Sequence, residues 1–238
     1  MEIKLKFSFL GDRSILINTG NRISETSSKR CMNYAFLIEE AGIEGVLEVQ
    51  GCYNSILVIY NPLKIKGDLL IQRIQAIRHQ GKRVALPIPQ VFEIPTLYGG
   101  EYGPDLEHVA KCNGITPEKV IAIHTQKPLW LLHIATCLHS ITPKEINSPR
   151  QKIPRVLVPA GAVGIAGKQT GPYILEGPGG WNLIGRTPLK IYDPKRTPPF
   201  LFSPGNYVHY RRIDFDTYKA MESNQRSKFF DTCWKDRE

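Results

Sequence analysis

The sequence predicts an α+β protein that consists of a small α/β sandwich followed by a β-barrel. Residues 1–88 alternate between strand-like and helix-like patterns, whereas short strands between Gly and Pro turns follow from about residue 129. A length of 238 residues suits one large domain or two small ones, and 18 prolines with 20 glycines indicate many turns. We therefore predict two domains, at residues 1–88 and 89–238.

Hydrophobic periodicity defines the N-terminal domain. Residues 3–9 alternate apolar and polar side chains, as a half-buried strand does, and Gly11-Asp12 marks the turn into the next strand. Ser24 is a suitable N-cap for a helix that ends before Gly42. The predicted elements are strands at 3–9, 14–17, 46–49, 55–60 and 83–88, and helices at 24–41 and 68–80. Their ββαββαβ order resembles a ferredoxin-like fold with one extra strand.

The C-terminal domain is predicted to begin with two short helices and to continue as a barrel. Three prolines mark the boundary before it: Pro87, Pro89 and Pro95. One helix covers residues 105–113, and a second begins after Thr116, where Pro117 takes the first helical position. Strands separated by Gly and Pro turns then indicate a compact β-barrel. Residues 214–230 are predicted as a short C-terminal helix.

Positive charge is distributed evenly along the chain. Lys and Arg number 31 against 22 Asp and Glu, a formal net charge of +9. Residues 1–90 and 91–210 each carry 12 basic and 8 acidic side chains, and residues 211–238 carry 7 and 6. Nucleic-acid-binding proteins more often concentrate their basic residues on one face or tail, so this distribution disfavours that class. An anionic small molecule or an acidic partner protein remains compatible with it.

The cysteines indicate a reduced protein without a structural zinc site. None of the five forms a CxxC pair, and zinc requires clustered ligands. They are Cys31, Cys52, Cys112, Cys137 and Cys233. The N-terminal residues alternate charged and apolar side chains without a signal-peptide core, and no apolar run approaches ~20 residues. We therefore predict a cytoplasmic protein that does not associate with a membrane.

The segment GGEYGPDL at residues 99–106 is the first candidate ligand-binding loop. Gly99 and Gly100 free the backbone for a close approach to a ligand, and the amides at the following helix start favour an anion. The alternative interpretation is a turn in which Asp105 caps the helix.

The segment PAGAVGIAGKQTG at residues 159–171 is the second candidate. Its four glycines and three polar residues, Lys168, Gln169 and Thr170, can cradle a phosphate or a carboxylate. It is not a P-loop, because Gln169 stands where Ser or Thr would follow the lysine. Glycines at the bends of a tight barrel are the alternative.

The segment GPGGWNLIGRTP at residues 177–188 is the third candidate. Trp181 stands among glycines that have little to bury it, which favours an exposed binding platform, and Arg186 can hold a carboxylate or phosphate with two donors. The alternative is a core Trp181 and a surface Arg186. His124 follows an apolar helical run and is either a general base or a structural histidine. The pattern gives His133 and His139 no role.

These three segments, in this order, resemble the signature motifs of the family of 5-oxoprolinase B subunits. That family is also described as allophanate hydrolase subunit 1 and includes the Kip-type inhibitor of a sporulation kinase. The resemblance extends over about residues 5–212. It implies a cyclophilin-like barrel in the C-terminal domain. It also implies partner subunits A and C, with which the protein would hydrolyse ATP, accompanied by Mg²⁺, to open 5-oxo-L-proline to L-glutamate.

The resemblance also carries functional residues over to this sequence. Arg186 would clamp an anion, Gln169 and Thr170 would hydrogen-bond substrate or phosphate, and Glu101 or Asp105 would orient a proton or Mg²⁺. The implied catalytic residues are Glu101, Asp105, Gln169 and Arg186. The implied residues for substrate or ATP are Gly99, Gly100, Tyr102, Gly164, Gly167, Thr170, Gly180, Trp181 and Thr187. No metal site within the chain is implied.

One segment departs from the family pattern. Members carry a Gly-Phe-x-Pro-Gly-Phe-Pro-Tyr loop before the second motif, whereas residues 134–143 here read IATCLHSITP. The following Pro149-Arg150 and Pro154-Arg155 still resemble the family's repeated Pro-Arg element. The departure implies altered specificity or weak activity, and it motivates the alternative of a non-catalytic inhibitor of a sensor histidine kinase. A role in biotin-linked urea or allophanate metabolism is disfavoured, because the sequence has no biotin-attachment or amidase motif.

Overall fold

A computed structural model describes residues 5–79, 88–135, 137–223 and 234–235. The chain divides into two compact units, Met1–Ile88 and Pro89–Glu238. Together they give the mixed α and β content that the sequence predicts. No helix in the described ranges combines the length and apolar character needed to cross a membrane.

The N-terminal unit is a four-stranded antiparallel sheet with two helices. Its strands are β1 (Lys6–Phe9), β2 (Ser14–Asn18), β3 (Val46–Cys52) and β4 (Ser55–Tyr60), and its helices are α1 (Glu25–Glu40) and α2 (Gly67–His79). The spatial order is β1-β2-β4-β3. These elements confirm the predicted sequence of strands and helices to within a few residues. The strand predicted at 83–88 falls mostly outside the described residues.

Alternation of side chains along the strands builds the core of this unit. Ile15 and Ile17 on β2 pair with Val58 and Ile56 on β4, and all four are fully buried. Helix α1 begins where the sequence predicts, because the Ser24 hydroxyl accepts a hydrogen bond from the Ser27 amide at 3.1 Å.

The C-terminal unit is a seven-stranded barrel with additional strands. Its strands are β5 (Val91–Tyr98), β6 (Leu129–Ile134), β7 (Leu138–Ile141), β8 (Arg155–Val158), β9 (Ala162–Ala166), β10 (Gln169–Pro172), β11 (Gly177–Gly179), β12 (Asn182–Arg186), β13 (Tyr207–Arg212) and β14 (Trp234–Lys235). The barrel runs β5-β13-β6-β7-β10-β9-β12 and closes by pairing β12 with β5. Strand β14 adds to β5, and β8 pairs with β11 in a separate two-stranded ribbon.

Among the described residues, three α-helices accompany the barrel: α3 (Leu106–Asn113), α4 (Pro117–His124) and α5 (Phe215–Ser223). The predicted signals for α3 and α4 are confirmed. Gly114 ends α3 with a φ of 63°, and the Thr116 hydroxyl accepts from the Lys119 amide at 3.2 Å at the start of α4. Helix α5 confirms the beginning of the predicted C-terminal helix, and residues 224–230 of that prediction lie outside the described part.

Strand β5 is absent from the predicted elements, because Pro95 suggests a boundary. The hydrogen bonds from Tyr207 N–H to the Gln90 carbonyl and from Ile213 N–H to the Thr96 carbonyl place even-numbered residues of β5 on the β13 side. Pro95 therefore faces the opposite edge. There β14 pairs at Val91 and Phe92 and β12 pairs at Leu97 and Tyr98. The proline lies between these two pairings, where its missing N–H costs no ladder bond.

One large apolar core occupies the C-terminal unit. It combines buried side chains from six of the barrel strands with those of α3 and α4, such as Ile94, Leu131, Val109 and Val120. A second, smaller cluster lies on the other face of β9 and includes Ala162, Ala166 and Trp181.

Candidate functional site

The GGEYGPDL segment forms a tight turn against strand β12. Gly99 and Gly100 have φ values of 74° and 54°, which favour glycine, and they lead into a short 3-10 helix at Gly100–Tyr102. The Gly99 amide donates to the Ile184 carbonyl at 3.1 Å, and a Cβ on Gly103 would lie 2.1 Å from that carbonyl oxygen. The close approach in this segment is therefore that of Gly103 to β12, whereas a Cβ on Gly100 would meet open space. Glu101, on this turn, is exposed.

Asp105 is a buried carboxylate with protein donors on both oxygens. Its Oδ1 accepts from Arg155 Nη2 at 2.8 Å, and its Oδ2 accepts from the Leu183 amide at 2.7 Å. It stands at the N-cap position of α3, but its side chain makes no capping hydrogen bond, so the expected cap is corrected to a bond across to β12. Asp105 therefore ties the start of α3 to β12 and to β8.

The PAGAVGIAGKQTG segment is the hairpin of β9 and β10. Gly167 has a φ of 56° in the exposed turn, and a Cβ on Gly164 would lie 2.9 Å from Trp181 Cβ. A Cβ on Gly171 would lie 1.4 Å from the Leu138 carbonyl oxygen on β7. Gly164 and Gly171 thus serve the close packing of the barrel, which is the second of the two interpretations left open by the sequence, and Gly167 serves the turn.

Thr170 belongs to a buried chain of hydrogen bonds through His124. The Thr170 hydroxyl donates to the Gly164 carbonyl at 2.9 Å, so it accepts from His124 Nε2–H at 2.8 Å. His124 Nδ1 then accepts from the Tyr98 hydroxyl at 2.7 Å. Burial lowers the pKa of His124 to about 3 and raises the pKa of Tyr98. His124 is therefore a neutral structural histidine, and its interpretation as a general base is not supported.

Trp181 is buried, and its prediction as an exposed platform is wrong. The residue is 2% exposed because Tyr173 and His139 both meet its ring edge to face, with centroids 6.1 Å and 5.2 Å away. The Arg150 guanidinium carbon lies 5.9 Å from the centroid of the same ring. The Trp181 ring thus lies beneath Arg150 and His139 and forms the surface on which they pack, referred to here as the floor.

The side chains above this floor form a polar face, defined here by Arg150, His133, His139 and Gln169. His139 Nδ1 lies 3.3 Å from Gln169 Oε1, and the rings of His133 and His139 are 6.2 Å apart across β6 and β7. Burial lowers the pKa of both histidines, and the Arg150 charge lowers the pKa of His139 further. The face therefore presents one cation beside neutral hydrogen-bonding groups.

The predicted site residues fall into separate groups. Gln169 and Trp181 meet at the polar face. Tyr102 packs on Tyr218 of α5 with ring centroids 4.9 Å apart, and the Arg186 charge acts on the same tyrosine. Since strands rise about 3.3 Å per residue, Arg186 lies roughly 16 Å along the chain from Trp181. The second group is therefore distinct from the polar face.

The remaining predicted residues have packing partners in the barrel. The Arg186 Nε donates to the Ala160 carbonyl at 3.1 Å, and the buried Thr187 hydroxyl accepts from the Leu189 amide at 3.3 Å. Gly180 is buried, and its carbonyl accepts from the Gln151 amide at 2.8 Å. Arg186 is partly exposed to solvent, whereas Thr187 and Gly180 are buried.

The sequence motifs assign no role to Arg150 or His139. Arg150 belongs to the repeated Pro-Arg element, to which no function is attached, and His139 lies in the segment that departs from the family pattern. The pairing of β6 with β7 brings His133 and His139 together on the polar face. Polar and apolar residues alternate only weakly in this segment, so the sequence does not predict that pairing.

The described residues do not fit a Mg²⁺ ion held by this chain. They include no cluster of three or more His, Cys, Asp or Glu side chains in metal-binding arrangement. Asp105, one of the two carboxylates expected to orient Mg²⁺, already accepts from Arg155 and from the Leu183 amide. Hard cations need several oxygen ligands, which neither expected carboxylate supplies alone.

Comparison with known proteins identifies close relatives. The family model for the carboxyltransferase domain, subdomain C and D, matches residues 5–202. The B subunit of the 5-oxoprolinase of Bacillus subtilis (strain 168) is 36% identical over 241 residues, covering 94% of this chain and 100% of the relative. The corresponding B subunit of the 5-oxoprolinase of Escherichia coli O157:H7 is 34% identical over 206 residues, covering 84% and 93%.

Part of a longer protein of known structure has the same fold as this chain. The crystal structure of TTHA0988 superimposes with a TM-score of 0.73 at 30% identity and covers 85% of this chain. The match covers 40% of that protein, so this chain spans less than half of its length.

Proposed function

The chain belongs to the family of 5-oxoprolinase B subunits, and on this premise we propose that it is the B subunit of an ATP-dependent 5-oxoprolinase. With subunits A and C it would couple the hydrolysis of ATP to the opening of 5-oxo-L-proline to L-glutamate. The observation that carries the proposal is the 36% identity to the Bacillus subtilis relative, which extends over that protein's whole length. We also infer that its units are a ferredoxin-like sandwich and a cyclophilin-like barrel.

The chemistry of the reaction suits a protein that positions groups and neutralises charge. A lactam carbonyl is a poor electrophile, and transfer of the γ-phosphoryl group of ATP to its oxygen, which releases ADP, makes the ring carbon more electrophilic. Water would add to that carbon, the ring C–N bond would break as the nitrogen takes up a proton, and a second water would hydrolyse the resulting acyl phosphate to the carboxylate and phosphate. Of the catalytic residues that the resemblance implies, Gln169, Arg186 and Glu101 remain accessible for such work, whereas Asp105 is buried. Arg186 would hold an anionic group with its guanidinium, and Gln169 would hydrogen-bond the substrate.

The β8–β11 ribbon supports an interaction with another subunit. Ile153 and Val156 are 85% and 91% exposed there, and Leu157 and Leu175 beside them are also exposed. Several exposed apolar side chains on and beside one short ribbon support a contact with another protein. Residues 149–160 contain three basic side chains and no acidic one. The expected partner therefore presents an apolar surface bordered by carboxylates.

Recovery of the protein from its own cells tests the proposal. The full chain, carrying an affinity tag, is eluted and its ATP hydrolysis is measured with and without 5-oxo-L-proline. Co-elution of two further subunits with turnover that requires 5-oxo-L-proline is the expected result. Elution of a sensor kinase without such turnover would contradict the enzyme function and support the alternative role as a kinase inhibitor.

A further inference from the structure

We propose that His108 and Cys112 on helix α3 chelate one divalent metal ion of the borderline-soft class to which Zn²⁺ and Co²⁺ belong. Neither residue lies in the segments 99–106, 159–171 and 177–188, from which the candidate site was built. The inference is therefore independent of the proposed function.

The two side chains lie one helical turn apart on the exposed surface of α3. Residues four positions apart are neighbours on the surface of a helix, and both of these residues are exposed. Val109 and Ala110, between them in the sequence, are buried in the apolar core of the barrel. An ion in solvent can therefore reach the pair, while the backbone that carries it is held by packing.

The separation of the two donor atoms is the one that a tetrahedral ion requires. Cys112 Sγ lies 3.5 Å from His108 Nε2. Zinc binds sulfur at about 2.3 Å and nitrogen at about 2.1 Å, so the tetrahedral angle places two such ligand atoms about 3.6 Å apart. The ion can therefore take the place of the hydrogen that now lies between the two atoms, and the backbone of α3 need not move.

The chemistry of the donor atoms selects the class of ion. Thiolate and imidazole are ligands of Zn²⁺ and its neighbours among the transition metals, whereas Mg²⁺ and Ca²⁺ prefer oxygen. On binding, the Cys112 thiol releases one proton to solvent and coordinates as a thiolate, and the neutral His108 imidazole keeps its proton on Nδ1 and coordinates through Nε2. Water fills the remaining positions, because the described residues form no group of three or more metal-binding side chains.

Both ends of α3 are fixed close to the pair. At the beginning of the helix, the Asp105 carboxylate accepts from the Leu183 amide at 2.7 Å. At its end, the Asn113 side-chain amide donates to the Val109 carbonyl at 2.9 Å. The helical turn between the two ligands is thus formed before the ion arrives, so chelation has to order little more than two side chains.

Titration of the full chain with Co²⁺ tests the site, because a thiolate bound to cobalt absorbs strongly in the near ultraviolet. The wild type is expected to bind one ion per chain with this absorption and to lose the absorption when Zn²⁺ is added in competition. Cys112→Ser is expected to abolish the absorption, and His108→Gln is expected to weaken binding at least about tenfold, since one of the two protein ligands is lost. Cys52→Ser, which removes a half-buried thiol of the N-terminal unit, is the matched control and is expected to change affinity less than about twofold.

Alkylation of the thiol provides a second measurement. Iodoacetamide is expected to modify Cys112 severalfold more slowly in the presence of Zn²⁺, as followed by peptide mass spectrometry, whereas Mg²⁺ is expected to give no protection. Cobalt absorption that persists in the Cys112→Ser protein would overturn the site, as would alkylation of Cys112 at the same rate with and without Zn²⁺. One ion for every two chains would contradict chelation by a single chain.

Discussion

At the scale of single residues, the barrel is organised by buried polar groups whose partners are far away in the chain. Asp105 bonds Arg155 and Leu183, which are 50 and 78 positions away, and His124 bonds Thr170 across 46 positions. A carboxylate or histidine in a motif has the same appearance in sequence whether it binds substrate or another strand. The burial and the partners of these side chains assign Asp105 and His124 to the architecture of the barrel.

Replacing Asp105 by Asn is expected to lower the free energy of unfolding by about 1–3 kcal/mol. The variant keeps an acceptor for the Leu183 amide but removes the charge that faces Arg155, whose Nη1 is already buried without a hydrogen-bond partner. Urea denaturation followed by circular dichroism measures the change. Glu101→Gln, on the exposed turn beside it, is expected to stay within about 0.5 kcal/mol. Equal stability of the two variants would argue against the structural role of Asp105.

His124 is expected to make stability depend on pH. The unfolded chain takes up a proton at this residue near pH 6.5, whereas the folded chain does so only at about 3. Between these values the unfolded state binds more protons, so the free energy of unfolding falls as pH falls, by about 1.4 kcal/mol per pH unit from this residue. Denaturation of the wild type and His124→Gln from pH 7.5 to pH 4.5 measures the difference in slope.

The same series with His108→Gln provides the control. His108 is an exposed histidine on α3, outside the buried hydrogen bonds of His124, so His108→Gln is the matched replacement of a histidine by glutamine. If His124→Gln retained the full slope of the wild type, the assignment of a depressed pKa to the buried imidazole would be wrong.

At the scale of elements, the β9–β10 hairpin shows that the glycines of a motif have different duties. Gly167 provides a left-handed turn with open space around it, whereas Gly171 lets β10 lie against the Leu138 carbonyl on β7. Gly164 does the same for Trp181. Two of these three glycines are therefore required by neighbouring strands and one by the backbone conformation.

Substitutions within this hairpin are expected to distinguish the glycine needed for strand packing from the glycine needed for the left-handed turn. Gly171→Ala places a methyl group 1.4 Å from a backbone oxygen, so the strand must move, and a loss of more than about 3 kcal/mol is expected. Gly167→Asn occupies a left-handed conformation that Asn tolerates and is expected to cost less than about 1 kcal/mol. Thermal unfolding of the two proteins gives the order, and the reverse order would contradict the hairpin packing.

The β8–β11 ribbon is expected to be a contact element in the assembly. Val156→Ser removes an apolar side chain that is 91% exposed, so the stability of the isolated chain is expected to change by less than about 0.5 kcal/mol. Co-elution with the partner subunits is expected to fall severalfold. Leu63→Ser, at an equally exposed position of the N-terminal unit, is the control. Undiminished co-elution of the Val156→Ser protein would exclude the ribbon as the contact.

Elements with local signals are predictable from the sequence, and those defined by distant contacts are not. The Ser24 and Thr116 caps lie within a few residues of α1 and α4, so the starts of these two helices are confirmed, whereas Asp105 bonds to β8 and β12 instead of capping α3. Strand β5 is missed because Pro95 is tolerated only through the particular pairing of its two edges. Trp181 is predicted to be exposed because its glycine neighbours are small, yet Tyr173, His139 and Arg150 cover it from other parts of the chain.

At the scale of the whole molecule, the chain has the features of a component that works with other subunits. It carries a formal net charge of +9 and an apolar ribbon with a basic border. Its similarity to B subunits of 5-oxoprolinase and the exposed apolar side chains of the ribbon support the proposed role in a multi-subunit enzyme.

The most direct test is reconstitution of the enzyme from this chain and purified subunits A and C. ATP hydrolysis and L-glutamate formation are followed with and without 5-oxo-L-proline. If this chain is the B subunit, ATP hydrolysis and L-glutamate formation are expected to occur together, to require 5-oxo-L-proline and to fall to background when this chain is omitted. Equal turnover in the absence of this chain would contradict its assignment as an essential component of the enzyme.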